Sequence, residues 1–244
     1  MMNRAASRLA LLALALLAWT GIARAGGAEP AAARPVDVAL VLAVDVSGSV
    51  NAERFELQRR GYAAAFASRE VIDAIAAGMN RTIAVTLVEW SGIGHQNQTV
   101  GWTLVYDAAS AQAFGSAIAE APRVFSDWTS ISGAVDFAVA LLRDSGFDAA
   151  RRVIDVSGDG INNNGRAATE ARDDALSAGI VINGLPILTE YPALDEYYRD
   201  NVVGGPNSFV VAVNDFSSFG TAILSKLVRE IAGAPPQPMN IAGR

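Results

Sequence analysis

The sequence predicts an α/β fold: an open, mostly parallel, twisted sheet with helices on both faces and one antiparallel edge strand. Three observations lead there. Residues 36–44 form a near-continuous apolar run, the pattern of a central strand buried on both faces. Strand-length apolar runs then alternate with stretches of helical period along the chain. No internal repeat is visible in that alternation.

The elements follow in order. The first strand ends at Asp45-Val-Ser-Gly-Ser49, and Asn51 is a good N-cap with Glu53 in the next turn. A helix follows to about Ala77, with Phe55, Tyr62, Phe66 and Ile75 near one stripe and Gly78 closing it. Residues 82–90 read as a second strand. Residues 98–106 alternate weakly after a polar connection, which suits the antiparallel edge. An Ala-rich helix over 108–121 stops at Pro122. Ile131, Val135, Ala138 and Leu142 then mark an amphipathic helix directly after Trp128-Thr129-Ser130. Residues 153–156 are a strand ending at Ser157-Gly-Asp-Gly160. A polar helix over 166–178, a strand over 180–188, a short helical piece near 190–201 and a strand over 208–213 come next. The last helix, 217–232, carries Leu224, Leu227, Val228 and Ile231 on one face.

The N-terminus reads differently. Arg4 and Arg8, an apolar run over 9–18 and Ala23-Arg24-Ala25 have the form of a secretory signal peptide, residues 1–25, cut after Ala25. Residues 26–35 read as a Gly/Ala/Pro linker, 36–232 as the folded domain, and 233–244 as a disordered tail. The expected location is therefore the periplasm or beyond, with no integral membrane span after cleavage. Net charge is −6 over 244 residues. Without Arg4, Arg8 and Arg24 the balance is 16 basic against 25 acidic residues, or −9.

That balance argues against sequence-independent binding to nucleic acid. The absence of cysteine removes disulfides, thiolate-held metals and thiol catalysis. One histidine, His95, leaves little for zinc or di-iron chemistry. The phosphate-loop pattern is absent, and the sole lysine is Lys226. Hard cations held by oxygen remain. Asp45, Ser47 and Ser49 place one carboxylate and two hydroxyls at alternate positions as the chain leaves the first strand, where open α/β sheets bind ligands. Thr129, before a helix, and Asp159, after a strand, can reach the same edge.

The combination Asp-x-Ser-x-Ser, a distant threonine and a distant Ser-Gly-Asp-Gly resembles the von Willebrand factor A (vWA) domain with its metal-ion-dependent adhesion site (MIDAS). The segments Glu-Trp-Ser, DWTSISGA and DVSGDGINNN are similar to a bacterial secreted vWA-like family of unknown function. The resemblance implies a vWA/Rossmann-like fold over about residues 36–232. It implies a divalent ion, Mg²⁺ first and Mn²⁺ or Ca²⁺ next, at Asp45, Ser47, Ser49, Thr129 and Asp159. It also implies a protein partner offering a carboxylate to the ion's open position. Thr129 follows Asp127-Trp128, where the family usually has glycines, so Ser130 competes with it for the hydroxyl role.

Several residues near these motifs admit two readings. Glu89, Asp155 and Ser130 are candidates for groups behind the ion; for the two acids, the other reading is a structural pairing with arginine. Trp90, Trp128, Asn162 and Asn163 are candidates for a rim that touches the partner. Two other functions fit parts of the sequence. Asp45, His95 and Ser130 occur in the chain order of a subtilisin-like serine hydrolase, although neither the His-Gly-Thr context nor a G-x-S-x-G elbow is present. A metal-free domain serving as a scaffold subunit is the other.

Overall fold

A computed structural model describes residues 33–124 and 127–233. The predicted signal segment and nearly all of the predicted tail lie outside them. In chain order the elements are β1 (Arg34–Val36), β2 (Val38–Asp45), α1 (Ala52–Phe66), α2 (Arg69–Ala76), β3 (Ile83–Trp90), β4 (Gln96–Val105), α3 (Ala108–Glu120), α4 (Ile131–Arg143), β5 (Phe147–Ala149), β6 (Arg152–Gly158), α5 (Ala168–Ser177), β7 (Ile180–Pro186), α6 (Leu194–Asn201), a 3₁₀ turn (Phe216–Ser218) and α7 (Phe219–Ala232).

The main sheet has the order β4-β3-β2-β6-β7, with β4 antiparallel at one edge and the other pairings parallel. Every residue of β2 is buried, as its unbroken apolar run requires. Alternate side chains serve opposite faces. Val38, Leu40, Leu42 and Val44 pack with Phe55, Tyr62, Phe114 and Phe219 on one side. Ala39, Val41 and Ala43 pack with Ile131, Val135, Ala138 and Tyr198 on the other. The chain leaves β2 toward β3 and β4, then returns to build β6 and β7 on the opposite flank. The C-terminal ends of β2 and β6 therefore meet where strand order reverses, which is where such sheets form a crevice.

Three expectations change. The helix predicted to about Ala77 is two helices, because the Ser68 side chain accepts from Val71 N at 3.2 Å and caps a new start. Residues 34 and 35, read as linker, belong to β1, which pairs with β5 in parallel. The strand expected over 208–213 reduces to isolated parallel bridges at Val210 and Val213. There the Asn183 side chain takes up Phe209 N at 3.0 Å, so a side chain occupies a place that a strand ladder would fill. No helix among the described residues is long and apolar enough to cross a membrane.

Candidate metal centre

Asp45 is the last residue of β2 and is fully buried. Its Oδ1 accepts from Ser47 N at 2.7 Å, which turns the chain sharply out of the strand. Oδ2 has no hydrogen-bond partner among the described residues. Ser47 Oγ stands 3.3 Å from Ser49 Oγ, and Ser49 Oγ donates to Asp159 Oδ1 at 2.5 Å. Asp159 follows β6, the strand paired with β2, so the two carboxylates come together through sheet register. A Cβ on Gly158 would stand 2.8 Å from Asp45 Oδ2 and 3.1 Å from the Tyr198 hydroxyl; the close approach of β6 to Asp45 needs glycine.

Thr129 reaches the same place from the loop before α4. Its backbone N donates to Asn163 Oδ1, and Asn163 N donates to Thr129 O, each at 2.9 Å. This reciprocal pair ties the 127–130 loop to the segment after β6. Ser49, Thr129 and Asp159 line one open cleft of about 600 Å³, together with Trp128 and Glu190. Ser130 does not line it. Its Oγ accepts from Gly133 N at 3.2 Å as the N-cap of α4, and it is fully buried. Of the two competing hydroxyls, the one facing the cleft is therefore that of Thr129.

Electrostatically the cleft is strained. Burial, followed by the Asp159 charge, pushes the Asp45 carboxyl up to about 7. Asp159 is raised by its own burial, while the hydrogen bond from Ser49 and the charge of Arg54 oppose that rise. The Tyr198 hydroxyl is raised well above its ordinary value by burial and by these same two aspartates. Among the described residues no group of three or more His, Cys, Asp and Glu side chains stands ready to hold a metal. Of the five candidate donors, Ser49, Thr129 and Asp159 line the cleft, while Asp45 and Ser47 are buried and do not; two carboxylates and three hydroxyls are an all-oxygen set matched to a hard cation. The buried, unpartnered Asp45 Oδ2 fits such an ion, because a buried anionic oxygen is costly without a counter-charge.

The other predicted residues take different parts. Trp90 is fully buried and cannot belong to a rim; it closes β3 among the side chains packed under α4. Trp128 is 63% exposed at the cleft edge. Asn162 and Asn163 hold backbone: Asn162 Oδ1 accepts from Ser132 N at 2.9 Å, and its Nδ2 donates to Arg166 O at 2.9 Å. Gly165, at φ 88°, turns this segment in a left-handed conformation beside Ser130 and Ser132. Glu89 accepts from Val124 N at 3.2 Å and anchors the chain beyond α3. Asp155 contacts Lys226, not an arginine. For the hydrolase arrangement, the carboxylate beside His95 is that of Asp127, 3.1 Å from Nδ1, while Asp45 and Ser130 are buried and engaged with Ser47 N and Gly133 N.

Two residues of the site had no signature in the sequence. Arg54, in the first turn of α1, donates from Nη1 to Ser49 O at 2.7 Å and to Glu190 Oε1 at 2.8 Å, and lies 3.3 Å from Asp159 Oδ2. Glu190 comes from the connection between β7 and α6. Nothing local marks either one, because their meeting depends on the whole sheet.

A family model described as "Protein of unknown function (DUF1194)" matches residues 35–235. No curated protein matches. Among solved structures, proximal thread matrix protein 1 from the mussel byssus superposes with a TM-score of 0.61 at 12% identity, over 82% of this chain and 49% of that one. A von Willebrand factor type A structure from Catenulispora acidiphila gives 0.56 at 16% identity, over 80% and 43%. The vWF domain of the type V pili tip protein Mfa5 from Porphyromonas gingivalis gives 0.56 at 10%, over 83% and 97%. The chain thus spans about half of the mussel protein's length and less than half of the Catenulispora chain. At these identities the likeness establishes the fold. The fold is that of a vWA domain, and by the match over residues 35–235 the chain belongs to the family described as "Protein of unknown function (DUF1194)".

Proposed function

We propose that this protein is an exported, non-enzymatic, divalent-metal-dependent binding module of the adhesion type. Asp45, Ser47, Ser49, Thr129 and Asp159 would hold the ion, and the ion would leave a position for an acidic group of a partner protein. The observation that carries this reading is the fully buried Asp45, whose Oδ2 has no hydrogen-bond partner among the described residues and whose neighbour Asp159 adds a second negative charge. A divalent cation relieves both. Three of the donors are neutral hydroxyls, so a bound ion keeps enough positive character to attract a carboxylate supplied in trans. For an acidic protein, a bridging cation is a physical route to an acidic partner. One form of the mussel thread protein has a zinc-occupied MIDAS motif, which supports a divalent ion in this fold. Mg²⁺ is the ion we assign here, since an all-oxygen set suits it; Mn²⁺ and Ca²⁺ share that preference. Trp128 offers an exposed aromatic contact beside the cleft. The N-terminal segment directs the chain to the periplasm or outside the cell.

The deciding experiment is affinity capture from envelope extract in Mg²⁺ and in EDTA, with calorimetric titration of Mg²⁺ in parallel. A partner retained in Mg²⁺ and lost in EDTA supports the reading. One observation favours a metal-free scaffold instead: Arg54 already places a positive charge 3.3 Å from Asp159. Capture and melting temperature both indifferent to EDTA would establish that second reading.

A further inference from the structure

Lys226 is the sole lysine of the chain and is fully buried. Its Nζ lies 2.5 Å from Asp155 Oδ1 on β6 and 2.5 Å from Glu230 Oε1, one turn further along α7. Asp155 and Glu230 are buried as well. Asn183, which faces Asp155 in the β6–β7 ladder, donates from Nδ2 to Glu230 Oε1 at 3.0 Å. The Phe209 ring flanks the group, 5.6 Å from Nζ.

One cation and two carboxylates shut away from water form a costly arrangement unless their lone pairs are satisfied. Here they are not. Neither oxygen of Asp155 has a hydrogen-bond partner among the described residues, and Glu230 Oε2 has none. Lys226 makes an aligned hydrogen bond to Glu230, yet touches Asp155 without one. A nitrogen is pressed against a carboxyl group, and a second carboxyl is bonded to that same nitrogen. Burial, with the Asp155 charge next, raises the Glu230 carboxyl, so it can carry a proton near neutrality. These are the parts of an amide-forming site: an amine, an acyl group and a proton carrier, held together by the fold.

We infer that Lys226 and Asp155 join as an intramolecular amide between Nζ and Cγ. The Nζ–Cγ bond forms and one Cγ–O bond of Asp155 breaks. Glu230, ionised at the outset and then acting in turn as base and acid, relays two protons one after the other from the ammonium to the departing oxygen, which leaves as water. The ammonium brings three protons; the amide keeps one and the released water carries two, so no co-reactant is needed. The product removes a buried ion pair and leaves Glu230 hydrogen-bonded to Asn183. It ties the last helix to a central strand in a chain without cysteine, restricting the unfolded state as a disulfide does elsewhere.

The test is the intact mass of the isolated, denatured full chain, with its N-terminus mapped and its amines labelled by an amine-reactive ester. The expected mass is that of the sequence less one water, with label at the N-terminus alone, because Lys226 is the chain's single lysine. Glu230→Gln should restore the full mass and a second labelled amine. Full mass and two labelled amines in the wild-type protein overturn the proposal, whatever the folding of the variant. A deficit of one ammonia overturns Asp155 as the partner and assigns Asn183. A water deficit that persists in Glu230→Gln overturns the role given to Glu230.

Discussion

Ser49 Oγ donates a 2.5 Å hydrogen bond to Asp159 Oδ1, joining residues 110 positions apart at the ends of two neighbouring strands. That bond closes the serine turn onto the aspartate after β6 and sets the Asp159 carboxylate beside the serine hydroxyls, with the buried Asp45 carboxylate as the second acid of the site. In the proposed centre a cation would offset the burial that raises both carboxyls. Asp45→Ala should therefore abolish the calorimetric heat of Mg²⁺ binding, and Ser49→Ala should weaken it. Unchanged affinity in Asp45→Ala would rule out the proposed centre.

Arg54 would compete with the proposed cation for Asp159, since its Nη1 lies 3.3 Å from Oδ2 and its side chain is fixed by Ser49 O and Glu190. Arg54→Ala should raise Mg²⁺ affinity by about fivefold or less, the scale of a partly exposed ion pair of about 1 kcal/mol. An affinity that falls in this variant would mean that Arg54 supports the ion rather than opposing it.

Gly158→Ala introduces a Cβ at 2.8 Å from Asp45 Oδ2 and 3.1 Å from the Tyr198 hydroxyl, in a place with no free volume. The expected loss is about 1–3 kcal/mol of folding stability, the usual range for overpacking. Urea unfolding reads it directly, and a midpoint equal to wild type would contradict the packing described here.

Trp128 is exposed, so its indole is free to meet a partner without holding the fold together. Trp128→Ala should leave stability within about 0.5 kcal/mol and yet reduce Mg²⁺-dependent capture of the partner. A large drop in melting temperature with capture intact would reverse that assignment.

Glu89 gives the fold a pH dependence. Burial raises its carboxyl from 4.5 to about 7, against the pull of the Val124 N–H, Arg123 and Arg59. The folded state thus holds the proton more tightly than the unfolded chain. Its contribution is complete below pH 4.5 and is lost as pH rises through about 7. Glu89→Gln keeps an acceptor for Val124 N and removes the titration. The variant should gain stability over wild type on the order of 1–3 kcal/mol by pH 8 and match it near pH 4. Parallel stability curves across that window would disprove the assignment.

The sequence by itself determined the layered sheet, the exit of the chain at Asp45-Val-Ser-Gly-Ser49 and the helix that Ser130 caps, because period, burial pattern and capping are local properties of a few neighbouring residues. The edge strand was legible in the same way, from a weaker alternation than that of the buried strands. It also marked Asp159, since a Gly-Asp-Gly at the end of an apolar strand can lie only at the ligand-facing edge. Tertiary structure decided the rest. Thr129 rather than Ser130 faces the cleft because Asn163 holds its backbone while Gly133 takes the serine hydroxyl. Trp90 turns inward, and Arg54 and Glu190 meet over Asp159 from opposite parts of the chain. Lys226 finds Asp155 through the docking of α7 on the sheet. Contacts of this kind depend on register and on the packing of distant elements, and no local pattern of residues encodes them.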